Sequence, residues 1–152
     1  MNQQNRNSIL IVEADAVARR ALAEALSGDG FTVLAAATGE EAIEILWRYK
    51  ERVDWLFTSV TLPGVVTGVR VAEEFRFAHP LRAVVFASRG GPIDWPHGGP
   101  EALVMPKPYR PADVVAAFRR LRGDPGGTHC WPSVPFTGAE SSSSEPKRSR
   151  CG

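Results

Sequence analysis

Ile9-Leu10-Ile11-Val12 is an unbroken apolar run behind a polar N-terminus, and it is rich in β-branched side chains. Such a run predicts a strand covered on both faces, as in a parallel sheet. From Asp15 to Ser27 the apolar positions are Ala18, Ala21, Leu22, Ala25 and Leu26, which is helical spacing. Gly28 and Gly30 supply a stop. Phe31 to Ala35 predicts a second strand. Thr38 and Glu41 stand at capping-box spacing before a helix with Ala42, Ile45, Leu46 and Tyr49 on one side. Trp55-Leu56-Phe57 predicts a third strand ending near Ser59, and Leu62-Pro63-Gly64 is turn chemistry. A third helix follows over about Gly68 to Ala78, stopped by Pro80, with Val71, Ala72 and Phe75 inward. Ala83 to Ala87 and Leu103-Val104-Met105 predict strands four and five. Pro111 opens a last helix with Val114, Ala117, Phe118 and Leu121 inward, and Gly123 ends it.

Strands and helices alternating at this spacing predict right-handed βαβ units on a parallel sheet covered on both faces. The fold expected is an α/β, flavodoxin-like, doubly wound (βα)5 domain of five strands in the order 2-1-3-4-5. The fourth helix is expected to be degraded. The stretch from Arg89 to Pro100 carries four glycines and three prolines, and each proline removes a donor and clashes with the preceding turn. The domain expected is therefore 8–122, with a disordered N-terminus over 1–7 and a disordered tail over 123–152, half of which is Gly, Pro or Ser.

Composition changes this picture little. The chain has 152 residues, 43% hydrophobic and 23% charged, enough for one domain with a proper core. A net charge of +1 gives no field that would draw it to nucleic acid or a membrane. Lys147, Arg148 and Arg150 are too small a basic cluster to alter that. There is no spanning run and no apolar leader, so a cytoplasmic location is expected. Cys130 and Cys151 both lie in the tail. They read as free thiols, and His129 beside Cys130 lacks a second pair at metal-ligand spacing.

In an open parallel sheet the chemistry sits just beyond the carboxyl ends of the strands, at the switch point between strands one and three. The residues there are Glu13, Ala14 and Asp15 after strand one and Ser59, then Thr61-Leu62-Pro63-Gly64, after strand three. Strand four ends in Ala87-Ser88, and Lys107-Pro108 follows strand five. His79 reads as a surface residue at a helix end. Arg19 and Arg20 read as the solvated face of the first helix. Asp54 lies at the far end of strand three, ~16 Å from the site.

This layout resembles the receiver domain of two-component response regulators. The resemblance rests on Ile9-Leu10-Ile11-Val12-Glu13, Val53-Asp54-Trp55-Leu56-Phe57-Thr58 before the acceptor position, Leu62-Pro63-Gly64 after it, and Lys107-Pro108. It covers about Ser8 to Leu121. The short link before strand five is similar to that of small stand-alone receivers. The resemblance implies phosphoryl transfer from a histidine kinase to an aspartate, with Mg²⁺ held by strand-one acids, a hydroxyl after strand four and a lysine after strand five.

Carried over residue by residue, the match is partial. The phosphoacceptor position is Ser59. The strand-one acids map to Glu13 and Ala14, with Asp15 adjacent and simplest as a helix cap. The hydroxyl position maps to Ala87, with Ser88 next to it. The phosphate-contact lysine is retained as Lys107, and the resemblance implies a cis bond to Pro108. The aromatic switch position maps to Val104, and an acidic position before Gly68 maps to Thr67.

A serine hydroxyl is a weak nucleophile and a poor Mg²⁺ ligand. The expectation is thus a phosphorylation-deficient receiver with no catalytic residue and no cofactor, Glu13 being the one residual metal ligand. It would act by contact with a histidine kinase or another signalling protein, and not on nucleic acid or membrane. The alternatives are a receiver phosphorylated at a non-standard residue such as Asp15, and a flavodoxin-like domain binding a small ligand or anion through Ser59, Thr61 and Lys107.

Overall fold

The computed structural model describes residues 7–49, 51–90, 93 and 102–123. The expected tail with Cys130 and Cys151, residues 1–6 and most of the expected degraded fourth helix lie outside the described residues. The elements are β1 (Ser8–Val12), α1 (Ala16–Gly28), β2 (Thr32–Ala36), α2 (Gly39–Arg48), β3 (Trp55–Ser59), α3 (Gly68–Ala78), β4 (Val84–Ser88), β5 (Ala102–Pro106) and α4 (Pro111–Leu121). Among the described residues no helix stands between β4 and β5. The five strands pair in parallel in the order β2-β1-β3-β4-β5, the flavodoxin-like arrangement expected from the sequence.

Alternation along each strand divides the core into two layers. Leu10, Val12, Leu56, Val84 and Phe86 pack under α2 and α3, against Ala42, Leu46, Val71, Ala72 and Phe75. Ile9, Ile11, Trp55, Phe57, Val85 and Met105 pack under α1 and α4, against Leu22, Leu26, Val114, Ala117 and Phe118. Both faces are covered, which is why β1, β3 and β4 read as unbroken apolar runs. Phe118 stands edge-on to both Phe31 and Trp55, each at 6.1 Å, so α4 is keyed to the α1 side. Asp29, just past α1, accepts from the Arg119 guanidinium of α4, which ties the same two helices at their ends.

The helix starts follow from capping. Asp15 accepts from the Ala18 amide at 2.9 Å, Thr38 from Glu41 at 3.2 Å, and Thr67 from Arg70 at 3.2 Å. Pro111 takes the first turn of α4. The cap at Thr67 accounts for a hydroxyl residue at that position. Asp54 is buried at the opposite end of the sheet from the candidate site. It accepts from the Ser8 amide at 3.1 Å, pinning β3 to the start of β1. No helix of the described residues is long and apolar enough to cross a membrane.

Candidate functional site

The carboxyl ends of β1, β3 and β4 and the turn after β5 converge on a cavity of about 400 Å³. Glu13, Ala14, Asp15, Ser59, Thr61, Leu62, Pro63, Ala87, Ser88 and Lys107 all line it, so the acceptor position, the acids, the hydroxyls and the lysine expected from the sequence come together, while Gly64 and Pro108 are not part of its lining. Parallel register sets Ser59 directly beside Ala87, and β4 runs beside β5 with Ser88 paired to Pro106. The amide of Lys107 donates to the Ser88 carbonyl at 2.8 Å, and the Lys107–Pro108 bond is cis.

Lys107 organises the floor. Its Nζ donates to Ser59 Oγ at 2.5 Å and lies 3.3 Å from Glu13 Oε2. Ser59 is 1% exposed and Glu13 3%, so the ion pair and the Lys107–Ser59 hydrogen bond are both shielded from bulk water. Low exposure strengthens both. Asp15 is half committed, since its Oδ1 caps α1. The Ser88 hydroxyl is bonded to the backbone of Gly90 at 3.2–3.3 Å, and Ala87 contributes no side-chain oxygen.

Three contributors were not visible in the sequence pattern. Arg19 is not part of the solvated face of α1: its guanidinium folds back and donates to the carbonyls of Glu13 at 2.8 Å and Ala14 at 3.3 Å, fixing the turn that carries the acid. Arg20 does face water, paired with Glu24 at 3.2 Å. Tyr109 packs edge-on to Phe57 at 5.3 Å beneath the site. Burial, and then the negative charges of Glu13 and Asp15, push its phenol well above its ordinary value.

The third is Glu40 of α2. Its Oε1 accepts from the amides of Val65 and Val66, each at 3.0 Å, and so holds the loop between β3 and α3 that follows Ser59. These backbone donors, Val66 foremost, lower the Glu40 carboxyl from its ordinary 4.5. A depressed folded value means the contribution is present above pH 4.5 and is lost as pH falls through the folded value. Protection of the Val65 and Val66 amides against exchange, taken relative to the unstructured rate at each pH, is therefore expected to be present at neutral pH and to fall on acidification below 4.5. In Glu40→Gln the protection should be lower at neutral pH and flat across that window. Protection equal to wild type in that variant would show that the loop is held by other contacts.

Comparison with known proteins agrees with this architecture. Residues 9–94 match the model of the response regulator receiver domain family, more than half of the chain. The transcriptional regulatory protein CpxR of Klebsiella pneumoniae subsp. pneumoniae (strain HS11286) is 31% identical over 118 residues, covering 76% of this chain and 49% of its own length. The chain thus spans about half the length of this curated relative. The crystal structure of a response regulator receiver protein from Sinorhizobium medicae WSM419 superposes with a TM-score of 0.68 at 25% identity, covering 77% of this chain and 94% of that one. The receiver domain of the hybrid histidine kinase CckA gives 0.63 at 27% identity, covering 75% and 97%. Taken with the 2-1-3-4-5 sheet and the lysine that reaches the end of β3 from the turn after β5, these matches establish that the chain belongs to the response-regulator receiver domain family of two-component signalling.

Proposed function

We propose that this receiver passes its signal by protein–protein contact and does not form an acyl phosphate at the acceptor position. The observation that carries the reading is the Ser59 hydroxyl, buried and hydrogen-bonded to Lys107 Nζ at 2.5 Å, where the chemistry needs a carboxylate. An alcohol attacking phosphorus must lose a proton to a base, and the neighbour at hydrogen-bond distance is a donor. Asp15 is a poor substitute acceptor, since one of its oxygens caps α1.

The donor set does not fit Mg²⁺ either. Of the two carboxylates lining the cavity, Glu13 is already paired with Lys107 and Asp15 caps α1, while Ala14 and Ser59 stand where further acids are required. Among the described residues no group of three or more His, Cys, Asp or Glu could hold a metal ion. The protein on this reading is not an enzyme and uses no cofactor.

The partner is a histidine kinase or another signalling protein, met through α1, where Val17 is 80% exposed beside the site. A cytoplasmic location, and no direct contact with nucleic acid or membrane, go with that role. The transcriptional role named for a relative about twice as long is not carried over to this chain.

The test is to mix the protein with autophosphorylated histidine kinases from its own genome. A kinase should bind and keep its phosphoryl group, and Val17→Glu should weaken the complex about tenfold or more, as expected where a central apolar contact becomes a charge. Transfer of the phosphoryl group to this chain would overturn the reading. So would a complex that Val17→Glu leaves unchanged.

A further inference from the structure

Among the described residues five large apolar side chains are exposed, and three of them gather at the amino end of the sheet, opposite the acceptor cavity. Trp47, 63% exposed, is on the last turn of α2. Phe77, 93% exposed, is on the last turn of α3, and Leu81, 89% exposed, is in the turn that leads to β4. The Trp47 indole donates to Glu74 Oε1 at 2.9 Å, and Arg70 holds the other oxygen of Glu74 at 3.1 Å, so the ring is fixed beside α3. Phe77 stands one helical turn beyond Glu74 and is its surface neighbour. Arg76 donates to the Pro80 carbonyl at 3.2 Å, and the Arg82 amide to the His79 carbonyl at 3.1 Å, which folds the Leu81 turn back onto the end of α3. Apolar residues exposed singly need no explanation, but a held group of them marks a contact surface.

Charge and size narrow the occupant. Residues 44–52 and 73–82 carry five Lys or Arg and four Glu, so the field is nearly neutral and selects no polyanion or anionic surface. A stable dimer needs about 800 Å² from each partner, and an aromatic side chain supplies roughly 150–250 Å², so three side chains fall short. A tethered segment needs far less area, because its effective concentration is on the order of millimolar. The chain holds such a segment. Beyond residue 123 the large apolar side chains are Trp131, Val134 and Phe136, and residues 125–139 contain no Asp, Glu, Lys or Arg. Pro132 and Pro135 favour the extended form in which proline-bearing segments lie on aromatic surfaces.

The segment also starts from the right place. α4 runs back to the amino end of the sheet, where Arg119 meets Asp29. The Arg82 guanidinium lies 4.9 Å over the Trp55 ring, and Trp55 meets Phe118 of α4 at 6.1 Å. Two ring contacts therefore join the end of α4 to the turn that carries Leu81. Trp131 is eight residues past Gly123, a reach of up to about 28 Å. We propose that residues 131–136 fold back over Leu81, Phe77 and Trp47 of their own chain, Trp131 meeting Leu81 first. The contact is at the far end of the domain from Ser59, so it stands whether or not the chain is ever phosphorylated.

The experiment uses the ¹⁵N-labelled full chain with Cys151→Ser and a nitroxide on Cys130, beside Trp131. The Trp47 indole signal and the Phe77 and Leu81 amides should lose most of their intensity and regain it when the nitroxide is reduced. Val17 and Val65, at the other end of the domain, should keep theirs. Phe77→Ser/Leu81→Ser changes two exposed residues, so the fold is retained, and it should restore most of the Trp47 intensity. A ¹⁵N chain without nitroxide, mixed with an unlabelled chain that carries it, should show no broadening. The proposal is overturned if the three signals keep their intensity within one chain, or if the double variant leaves Trp47 broadened. Broadening in the mixed sample would also overturn it, by giving the surface to a second copy.

Discussion

Lys107→Met is expected to lower the unfolding free energy by about 3 kcal/mol, the low end for removing one partner of a buried ion pair. Methionine keeps the apolar stem and deletes the ammonium. Glu13, 3% exposed, then loses its cationic partner and keeps only neutral ones, such as the Asp15 amide at 3.4 Å. The low end applies because the Lys107 side chain is itself 18% exposed, and water can reach part of what it leaves. Urea unfolding of the single variant and of Glu13→Gln/Lys107→Met decides the cause. The double variant should recover most of the loss, since the uncompensated charge is gone. A double variant as unstable as the single one would assign the loss to packing around the stem.

Gly68→Ala should be at least as damaging, costing about 3 kcal/mol or more, the upper range for an inserted methyl that the backbone cannot yield to. A Cβ on Gly68 would lie 1.8 Å from the Ser59 carbonyl oxygen and 3.0 Å from Thr58 Oγ1. The obstruction is the end of β3, the central strand of the sheet, and not the tip of a flexible side chain. Relief requires α3 to move away from β3, which would also break the bond from the Gly68 amide to the Val60 carbonyl at 3.0 Å. Gly28→Ala is the control. It sits at the end of α1 with nothing within 4 Å of the added Cβ, so its effect should be small. A thermal midpoint for Gly68→Ala close to that of Gly28→Ala would show that α3 does not seat on β3 as described.

Much of this molecule is legible in its sequence because the signals are local. Unbroken apolar runs at Ile9–Val12 and Trp55–Phe57, helical periodicity from Ala18 to Leu26, and caps at Asp15 and Thr38 all operate within a few residues, and each element falls within one or two residues of its expected bounds. The site was legible for a topological reason. Strand ends in a parallel sheet converge, so Glu13, Ser59, Ala87 and Lys107 are placed by order alone.

What stayed hidden depends on partners distant in the chain. Glu40 reads as one more acid in a helix N-terminus, yet it holds Val65 and Val66, 25 and 26 residues on. Arg19 sits at a position that periodicity assigns to water, and only the shape of the turn at Glu13 and Ala14 shows why it bends inward. Tyr109 carries no motif. Its importance comes from burial against Phe57 and from the carboxylates that β1 and α1 bring over it.

On the proposed reading the acceptor position is chemically silent. The direct measurement is the intact mass of the native chain after incubation with acetyl phosphate and Mg²⁺, with Ser59→Asp run beside it. The native chain should gain no phosphoryl group. An adduct on Ser59→Asp alone would place the defect at the acceptor, and its absence there would extend the defect to Ala14 and Ala87. Any phosphoryl adduct on the native protein would contradict this reading: a hydroxylamine-stable ester would lie on a hydroxyl such as Ser59, and a labile acyl phosphate on a carboxylate of the site.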